Sequence, residues 1–179
     1  MALTMLLGGA RSGKSTAAVA RGRAYDGPVL FVATGEVRDA EMADRVSRHR
    51  DERPAGWATV EAPVDVSDAL AAAPGEALVV VDCLSLWVAN LLERGVAEID
   101  IERQATQTAR RAARRPAPTV TVSNEVGMGL VPTYELGRRY RDLLGRVNSI
   151  WVGTAAEAYL VVAGALLPLH SCRRYDDGT

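Results

Sequence analysis

Short apolar runs alternate with amphipathic stretches along most of this chain. Residues 3–7, 29–33, 77–81 and 119–123 are almost uniformly apolar or β-branched, a pattern typical of strands buried on both faces. A short alternating strand is predicted at 57–61 and a last strand at 159–163. Pro and Gly residues punctuate the chain at 26–28, 74–75 and 116–118.

Helices are predicted in the remaining segments, at residues 16–25, 39–49, 66–73, 84–92, 99–114 and 133–155. Leu136, Tyr140, Leu143 and Val147 recur along one side of the last of them. Alternating strands and helices predict an α/β fold, a three-layer sandwich whose mostly parallel central sheet has helices on both faces. No internal repeat or linker interrupts the pattern, so residues 1–179 are expected to form one domain.

The first predicted strand leads into a glycine-rich turn that matches Gly-x-x-x-x-Gly-Lys-Ser at every position. A strand, such a turn and a helix N-terminus together bind phosphate, because backbone N–H groups and the helix dipole favour negative charge. The fold is therefore predicted to be of the P-loop NTPase type. The turn consists of Gly8, Gly9, Ala10, Arg11, Ser12, Gly13, Lys14 and Ser15.

Two side chains of this turn are expected to act on the nucleotide. Lys14 would reach the β- and γ-phosphates, and the Ser15 hydroxyl would ligate Mg²⁺. Of the 21 basic residues, Lys14 is the only lysine, at a position where a compact point charge suits the chemistry better than a planar guanidinium.

Ligands of open parallel sheets bind beyond the carboxyl ends of the strands, so the residues that follow each strand are candidates. Asp82 is expected to hold Mg²⁺ beside Ser15, or alternatively to cap the next helix. The loop from Asn124 to Pro132 either contacts substrate or is a structural turn, and the residues alone leave both open. The other candidates after the strands are Thr34, Gly35, Glu61 and Glu125.

His49 lies between Arg48 and Arg50 in a strongly charged stretch. A neutral imidazole is a good nucleophile towards phosphorus, and neighbouring arginines can stabilise the charge that develops in phosphoryl transfer. From these residues alone, a surface histidine at a charged helix end is the simpler interpretation.

The charge composition bears on whether the protein binds nucleic acid. A net charge of −1 without a basic run argues against nucleic acid as a partner. Arg110, Arg111, Arg114 and Arg115 cluster at a predicted helix end, where they are expected to complement the helix dipole and stay solvated.

The chain is expected to be cytoplasmic. Cys83 and Cys172 have no metal-binding spacing and are expected to be reduced thiols. No signal peptide is recognised, and the longest uncharged apolar run, 158–169, is too short to span a membrane and contains Pro168.

Several of these motifs together resemble one enzyme family, over about residues 3–167. The most specific are the block from Asp39 to Trp57, which includes His49, and the loop Asn124-Glu125-Val126-Gly127-Met128-Gly129. The phosphate loop and the Asp82-Cys83-Leu84 segment agree with them. The chain is similar to the bifunctional adenosylcobinamide kinase/adenosylcobinamide-phosphate guanylyltransferases of cobalamin biosynthesis.

The resemblance implies a function and further site residues. ATP or GTP would phosphorylate adenosylcobinamide, a corrinoid, and GMP from GTP would then pass through His49 to the phosphorylated product. Asn124, Glu125, Gly127, Met128 and Gly129 become candidate substrate contacts. Mg²⁺ as cofactor and a homotrimer are expected. The implied GTP contacts are Ala33, Thr34, Gly35, Arg50, Asp51, Glu52, Arg53, Glu61 and Asp82.

Two departures from the family pattern bear on packing or assembly: a bulkier run at 151–154 and a tail at 170–179. The alternative function is another P-loop small-molecule kinase in which His49 is only structural. A GTP-dependent switch would use an Asn-Lys-x-Asp motif, which a chain with Lys14 as its sole lysine lacks. A nucleic-acid-dependent ATPase is disfavoured because no basic face is recognised.

Overall fold

The computed structural model describes residues 3–36 and 53–169. Seven strands and five helices lie in these two ranges. The strands are β1 Leu3–Gly8, β2 Val29–Ala33, β3 Ala58–Glu61, β4 Leu78–Asp82, β5 Thr119–Asn124, β6 Glu157–Val162 and β7 Ala165–Pro168. The helices are α1 Lys14–Arg23, α2 Val66–Ala72, α3 Leu84–Glu93, α4 Glu98–Arg114 and α5 Glu135–Thr154.

The strands form one sheet in the order β3-β2-β4-β5-β1-β6-β7. All neighbouring pairs are parallel except β6 and β7. The register brings the carboxyl ends of the strands to one edge: Ala33 pairs with both Glu61 and Asp82, and Gly8 pairs with Asn124. The residues that the sequence singled out after separate strands therefore lie along the same edge of the sheet.

Each face of the sheet has its own hydrophobic core. Val80 and Phe31 face α1, whereas Val79 and Val81 face the helices of the other side, because successive side chains of a strand point to opposite faces. The second core includes Trp87 of α3 and the fully buried Leu143, Leu144 and Trp151 of α5. The predicted three-layer α/β sandwich with a mostly parallel sheet is confirmed.

The edge strand β7 was not predicted. The expected last strand at 159–163 is β6, and the chain then turns at Ala163 and Gly164, whose φ angles are 50° and 81°. Positive φ at both central residues is the geometry of a type I′ hairpin, which pairs β7 antiparallel to β6. Hydrophobic periodicity could not reveal this turn because Ala-Gly interrupts the apolar run without a polar residue.

The predicted helix at 39–49 lies outside the described residues, as does the tail from residue 170 onwards. Among the helices of residues 3–36 and 53–169, none is both long enough and apolar enough to cross a membrane.

Candidate active site

The glycine-rich turn between β1 and α1 depends on two of its glycines. A Cβ on Gly8 would lie 2.3 Å from the carbonyl oxygen of Val161, so no larger residue fits between β1 and β6 there. Gly13 has a φ of 99°, in the left-handed region that favours glycine, and its carbonyl accepts a 2.9 Å hydrogen bond from Ala17 N–H in the first turn of α1. The turn thus places the N-terminus of α1 at the carboxyl edge of the sheet.

Lys14, the first residue of α1, is folded into this turn. Its side chain is nearly buried, and Nζ donates to the carbonyl of Gly9 at 2.5 Å and to Ser12 Oγ at 3.4 Å. Burial lowers the pKa of Lys14, while the nearby Asp82 acts in the opposite direction. The result is a cation held among backbone amides, which is the arrangement that binds phosphate.

Neighbouring elements hold the turn from two sides. Gly164 N–H, in the β6–β7 hairpin turn, donates to the carbonyl of Ser12 at 2.9 Å, and a Cβ on Gly13 would lie 3.3 Å from Gly164 Cα. From the other side, Glu125 N–H donates to the carbonyl of Gly8 at 3.0 Å. The unpredicted hairpin is therefore part of the support of the phosphate loop.

Asp82 ends β4, and Cys83 rather than Asp82 occupies the N-cap position of α3. The alternative of Asp82 as the cap of that helix is thus not supported. Thr34, which directly follows β2 and lies beside Asp82, is fully buried. Its Oγ1 donates to Cys83 O and accepts from Cys83 N–H, both at 2.7 Å. Thr34 was expected to be a nucleotide-contacting position, and in the structure its side chain joins the ends of β2 and β4.

A buried polar network continues from Cys83 towards β5. Cys83 Sγ and Ser85 Oγ share a hydrogen bond of 2.8 Å, and Asn124 Nδ2 donates to the same Ser85 Oγ at 3.1 Å. Tyr140 of α5 donates to the carbonyl of Ser85 at 3.1 Å. Burial, reinforced by Asp82, raises the pKa of Cys83 to about 11, so this thiol is neutral at physiological pH.

Two buried asparagines complete the network, and neither was predicted from the sequence as a site residue. Asn148 Nδ2 donates to Asn124 O at 3.0 Å, and its Oδ1 accepts from Ser123 Oγ at 2.7 Å. Asn90 Nδ2 donates to Thr34 O at 2.8 Å and to Pro63 O at 3.0 Å. An amide in an apolar helix such as α3 is a signal that could have identified Asn90, since buried polar groups need partners.

The last residue of β5 and the loop after it contain the five candidate substrate contacts. Asn124 is engaged with Ser85, and Glu125 Oε1 accepts from Gly127 N–H at 2.7 Å, so both help to shape the loop. Gly129 and Met128 are exposed, with Met128 at 78%. The exposed Leu130 and Val131 follow, which leaves an apolar surface beside the phosphate loop.

The remaining candidates occupy the far side of the same edge. Glu61 ends β3 and is exposed, while Gly35 is half-buried. The Arg53 guanidinium lies over the Phe31 ring, 3.4 Å from its centroid. His49, Arg50, Asp51 and Glu52 lie outside the described residues.

The side chains at this edge fit a magnesium ion bound together with a nucleotide. Mg²⁺ usually takes one or two protein ligands, with phosphate oxygens and waters in the other positions. Ser15 and Asp82 supply a hydroxyl and a carboxylate. The described part of the chain holds no cluster of three His, Cys, Asp or Glu side chains that could bind a metal without substrate.

Comparison with known proteins shows one enzyme family to which this chain is similar. The profile of the family described as cobinamide kinase/cobinamide phosphate guanyltransferase matches residues 4–169. The bifunctional adenosylcobalamin biosynthesis protein CobU of Salmonella typhimurium is 40% identical over 177 residues, covering 90% of this chain and 96% of that protein. CobP of Pseudomonas aeruginosa, also described as a bifunctional adenosylcobalamin biosynthesis protein, is 37% identical over 167 residues. The match covers 92% of this chain and 95% of that protein.

Solved structures show the fold at lower identity. An ATPase of a bacterial type III secretion system has a TM-score of 0.54 at 11% identity, and the match covers 97% of this chain and 59% of the ATPase. A Pyrococcus horikoshii protein has a TM-score of 0.57 at 7% identity, and the match covers 98% of this chain and 88% of that protein. The fold of this chain thus occurs in ATPases, and its sequence belongs to the cobinamide kinase/cobinamide phosphate guanyltransferase family.

Proposed function

We propose that this protein phosphorylates adenosylcobinamide with ATP or GTP and then transfers GMP from GTP to the resulting phosphate, giving adenosylcobinamide-GDP. The observation that carries the proposal is the phosphate loop with its buried Lys14, in a chain of this family over residues 4–169. The enzyme is thus both a phosphotransferase and a nucleotidyltransferase.

In the kinase step, the substrate hydroxyl attacks the γ-phosphorus, a new P–O bond forms, and the bond to the β-phosphate oxygen breaks. Lys14 and the amides of the loop are proposed to stabilise the negative charge on the transferring group. Ser15 and Asp82 would hold Mg²⁺, which neutralises phosphate charge when bound. No described residue is assigned as the base.

In the second step, His49 attacks the α-phosphorus of GTP, forming a nitrogen–phosphorus bond while pyrophosphate leaves. The phosphate of adenosylcobinamide phosphate then takes the GMP and frees the imidazole. The family resemblance at the block around His49 supports this role. The flanking Arg50 and Arg53, together with Asp51 and Glu52, are proposed to line the polyphosphate.

The remaining nucleotide contacts are proposed at the phosphate loop, Ala33, Thr34, Gly35, Glu61 and Asp82. Thr34 is proposed to position its neighbours, because its N–H donates to Asp82 O at 3.1 Å and its buried Oγ1 bonds to Cys83. The corrinoid is proposed to lie against the loop that carries Gly127, Met128 and Gly129, where Leu130 and Val131 leave apolar surface for a large ring.

The assembly is proposed to be a homotrimer, as the family resemblance implies. We place the enzyme in the cytoplasm, where its nucleotide substrates are. Residues 1–179 are proposed to be one catalytic domain, with the tail from about 170 outside the catalytic fold. The alternative function is a P-loop small-molecule kinase without guanylyltransferase activity.

A product assay separates the two functions. The protein is incubated with adenosylcobinamide, Mg²⁺, ATP and GTP, in parallel reactions that carry the label at the γ-phosphorus of both nucleotides or at the α-phosphorus of GTP, and the corrinoid products are separated. The proposal predicts γ-label in adenosylcobinamide phosphate and α-label in adenosylcobinamide-GDP. A kinase alone would give only the first product. Label in neither product would contradict both functions.

A further inference from the structure

A groove of about 530 Å³ lies between α2 and α4 on the side of the molecule away from the phosphate loop. Gly75 and Pro116, which line it, precede β4 and β5, so the groove is at the amino edge of the sheet. The phosphate loop follows the carboxyl end of β1, at the opposite edge. The groove is as large as many small-molecule sites and separate from the candidate active site.

Four arginines converge on this groove. Arg110, Arg111 and Arg114 line it from α4 and are exposed, and Arg115 follows the end of the helix. Arg115 was expected to stay solvated, which is wrong: it is 7% exposed because carbonyl groups at the end of α2 surround it. Its guanidinium donates at 2.8–3.3 Å to the carbonyls of Leu70, Ala73, Pro74 and Ala77.

The charge of the groove has no acidic counterpart among its lining residues. Burial lowers the pKa of Arg115, since its partners are neutral carbonyls, and its Nε is buried without a hydrogen-bond partner among the described residues. Within residues 3–36 and 53–169, no ion pair links Arg110, Arg111 or Arg114 to a carboxylate.

Three other arginines of the same helix layer form ion pairs. Arg103 contacts Asp100 at 2.6 Å, and Arg139 and Arg146 each contact Glu98 at 2.8 Å. Complementing the helix dipole accounts for basic residues in the last turn of α4, but Arg110 lies before that turn. Among the arginines of α4, those without a carboxylate partner in the described part of the chain thus all line the groove.

We propose that this groove binds a small, multiply charged phosphate, either inorganic pyrophosphate or the phosphates of a nucleotide. Guanidinium groups bind phosphate oxygens in a bidentate way. Arg110 and Arg114 are four residues apart on one helix, so their Cβ atoms are about 5–6 Å apart, a spacing suited to adjacent phosphates. Ala71 and Pro116, which are both exposed, add apolar surface for an organic part of the ligand.

A nucleic acid is not the ligand favoured here. The arginines occupy about one turn of a single helix in a chain of net charge −1, whereas nucleic-acid binding uses an extended basic face. The proposal concerns a binding site only and is independent of the reactions proposed above.

Calorimetric titration of the full-length protein with pyrophosphate, at about 0.1 M salt to screen diffuse charge, tests the proposal. The unaltered protein is expected to show two sites. Lys14→Ala should weaken the site at the phosphate loop and leave the groove site. Adding Arg110→Gln and Arg114→Gln should then weaken the remaining site by at least about tenfold, because each change removes hydrogen bonds to a charged group. A parallel titration of Lys14→Ala with GDP, which carries two adjacent phosphates, identifies the source of the phosphate: tighter binding than pyrophosphate indicates a nucleotide.

Arg103→Gln is the matched control, since it removes one positive charge from the same helix outside the groove. It should leave pyrophosphate binding unchanged. A single site that disappears in Lys14→Ala overturns the proposal, as does equal weakening by Arg103→Gln. Amide NMR shifts at Gly75 and Gln107 on addition of pyrophosphate give a readout on the unaltered protein, and their absence would also overturn it.

Discussion

At the scale of single residues, Lys14 is the side chain on which both proposed reactions depend. It is buried in the phosphate loop and donates to the carbonyl of Gly9. Lys14→Ala should lower both activities by on the order of 10² or more, because a point charge at the developing phosphate charge is lost. Lys14→Arg should also be impaired, since a planar guanidinium does not fit the place of a compact ammonium. Rates of the two steps and a thermal melt measure this. Normal turnover by Lys14→Ala in a folded protein would refute the role of the loop.

Asp82 provides a second residue-scale test. Asp82→Asn keeps the size of the side chain and removes its charge, so Mg²⁺-dependent GTP binding should weaken by on the order of 10- to 100-fold, the range seen when groups around a metal are altered. The measurement is a Mg²⁺ titration against bound GTP. Asp68→Asn, an exposed carboxylate of α2, is the control with the same charge change. An unchanged Mg²⁺ requirement in Asp82→Asn would remove Asp82 from the metal site.

Some residue roles could be predicted from the sequence and others could not. Lys14 was predictable because its motif fixes both the loop and the helix that follows. The contacts of the Thr34 side chain could not be predicted. Only the packed structure shows that its hydroxyl both donates to and accepts from the backbone of Cys83. Arg115 was also mispredicted: its burial depends on the carbonyls at the end of α2, which are distant in sequence.

At the scale of elements, the contact between β1 and β6 determines which glycines of the loop are needed. A Cβ on Gly8 would meet the backbone of Val161 at 2.3 Å, whereas a Cβ on Gly9 meets nothing within 4 Å. Gly8→Ala should destabilise the protein by about 1–3 kcal/mol, as overpacking does. That corresponds to a fall of about 2–12 °C in Tm and should accompany weaker nucleotide binding.

Gly9→Ala is the matched control for Gly8→Ala. It adds the same methyl group one residue along the loop and should leave Tm nearly unchanged. Thermal melting of both variants measures the difference. Equal effects of the two substitutions would show that the close approach of β1 and β6 does not constrain the loop.

Strands and helices could be predicted where the hydrophobic periodicity agrees with the Gly, Pro or polar residues that end each segment. The core strands β2 and β4 are apolar runs closed by Gly, Pro or a polar residue, so they were found within a residue of their bounds. β7 was missed because the Ala163-Gly164 turn carries no polar signal. That omission hid the hairpin whose Gly164 N–H holds the phosphate loop.

At the scale of the whole molecule, the parallel sheet explains why the strand-end residues could be predicted as one site. Ala33, Asp82 and Asn124 are far apart in sequence, but the register brings their strands to one edge. The assembly is a separate matter, because no pattern within one chain specifies the surface that a second copy covers.

The proposed homotrimer gives a prediction at this scale. Sedimentation velocity at concentrations used for activity should give a mass three times the 19.1 kDa of the chain. Adding GTP and Mg²⁺ should not dissociate it. A stable monomer that carries out both reactions would contradict the trimer and leave the catalytic assignments intact.

Protein labelling by α-labelled GTP tests the central claim, the guanylyl-histidine intermediate, most directly. The chain has two histidines, so His49→Ala and the control His170→Ala differ only in which imidazole is removed. The account predicts acid-labile label on the unaltered protein and on His170→Ala, formed better above pH 6.5, where a histidine side chain is neutral. It predicts no label on His49→Ala, which should keep part of its γ-phosphoryl transfer because the substrate hydroxyl attacks directly in that step. Label that persists on His49→Ala would contradict the account.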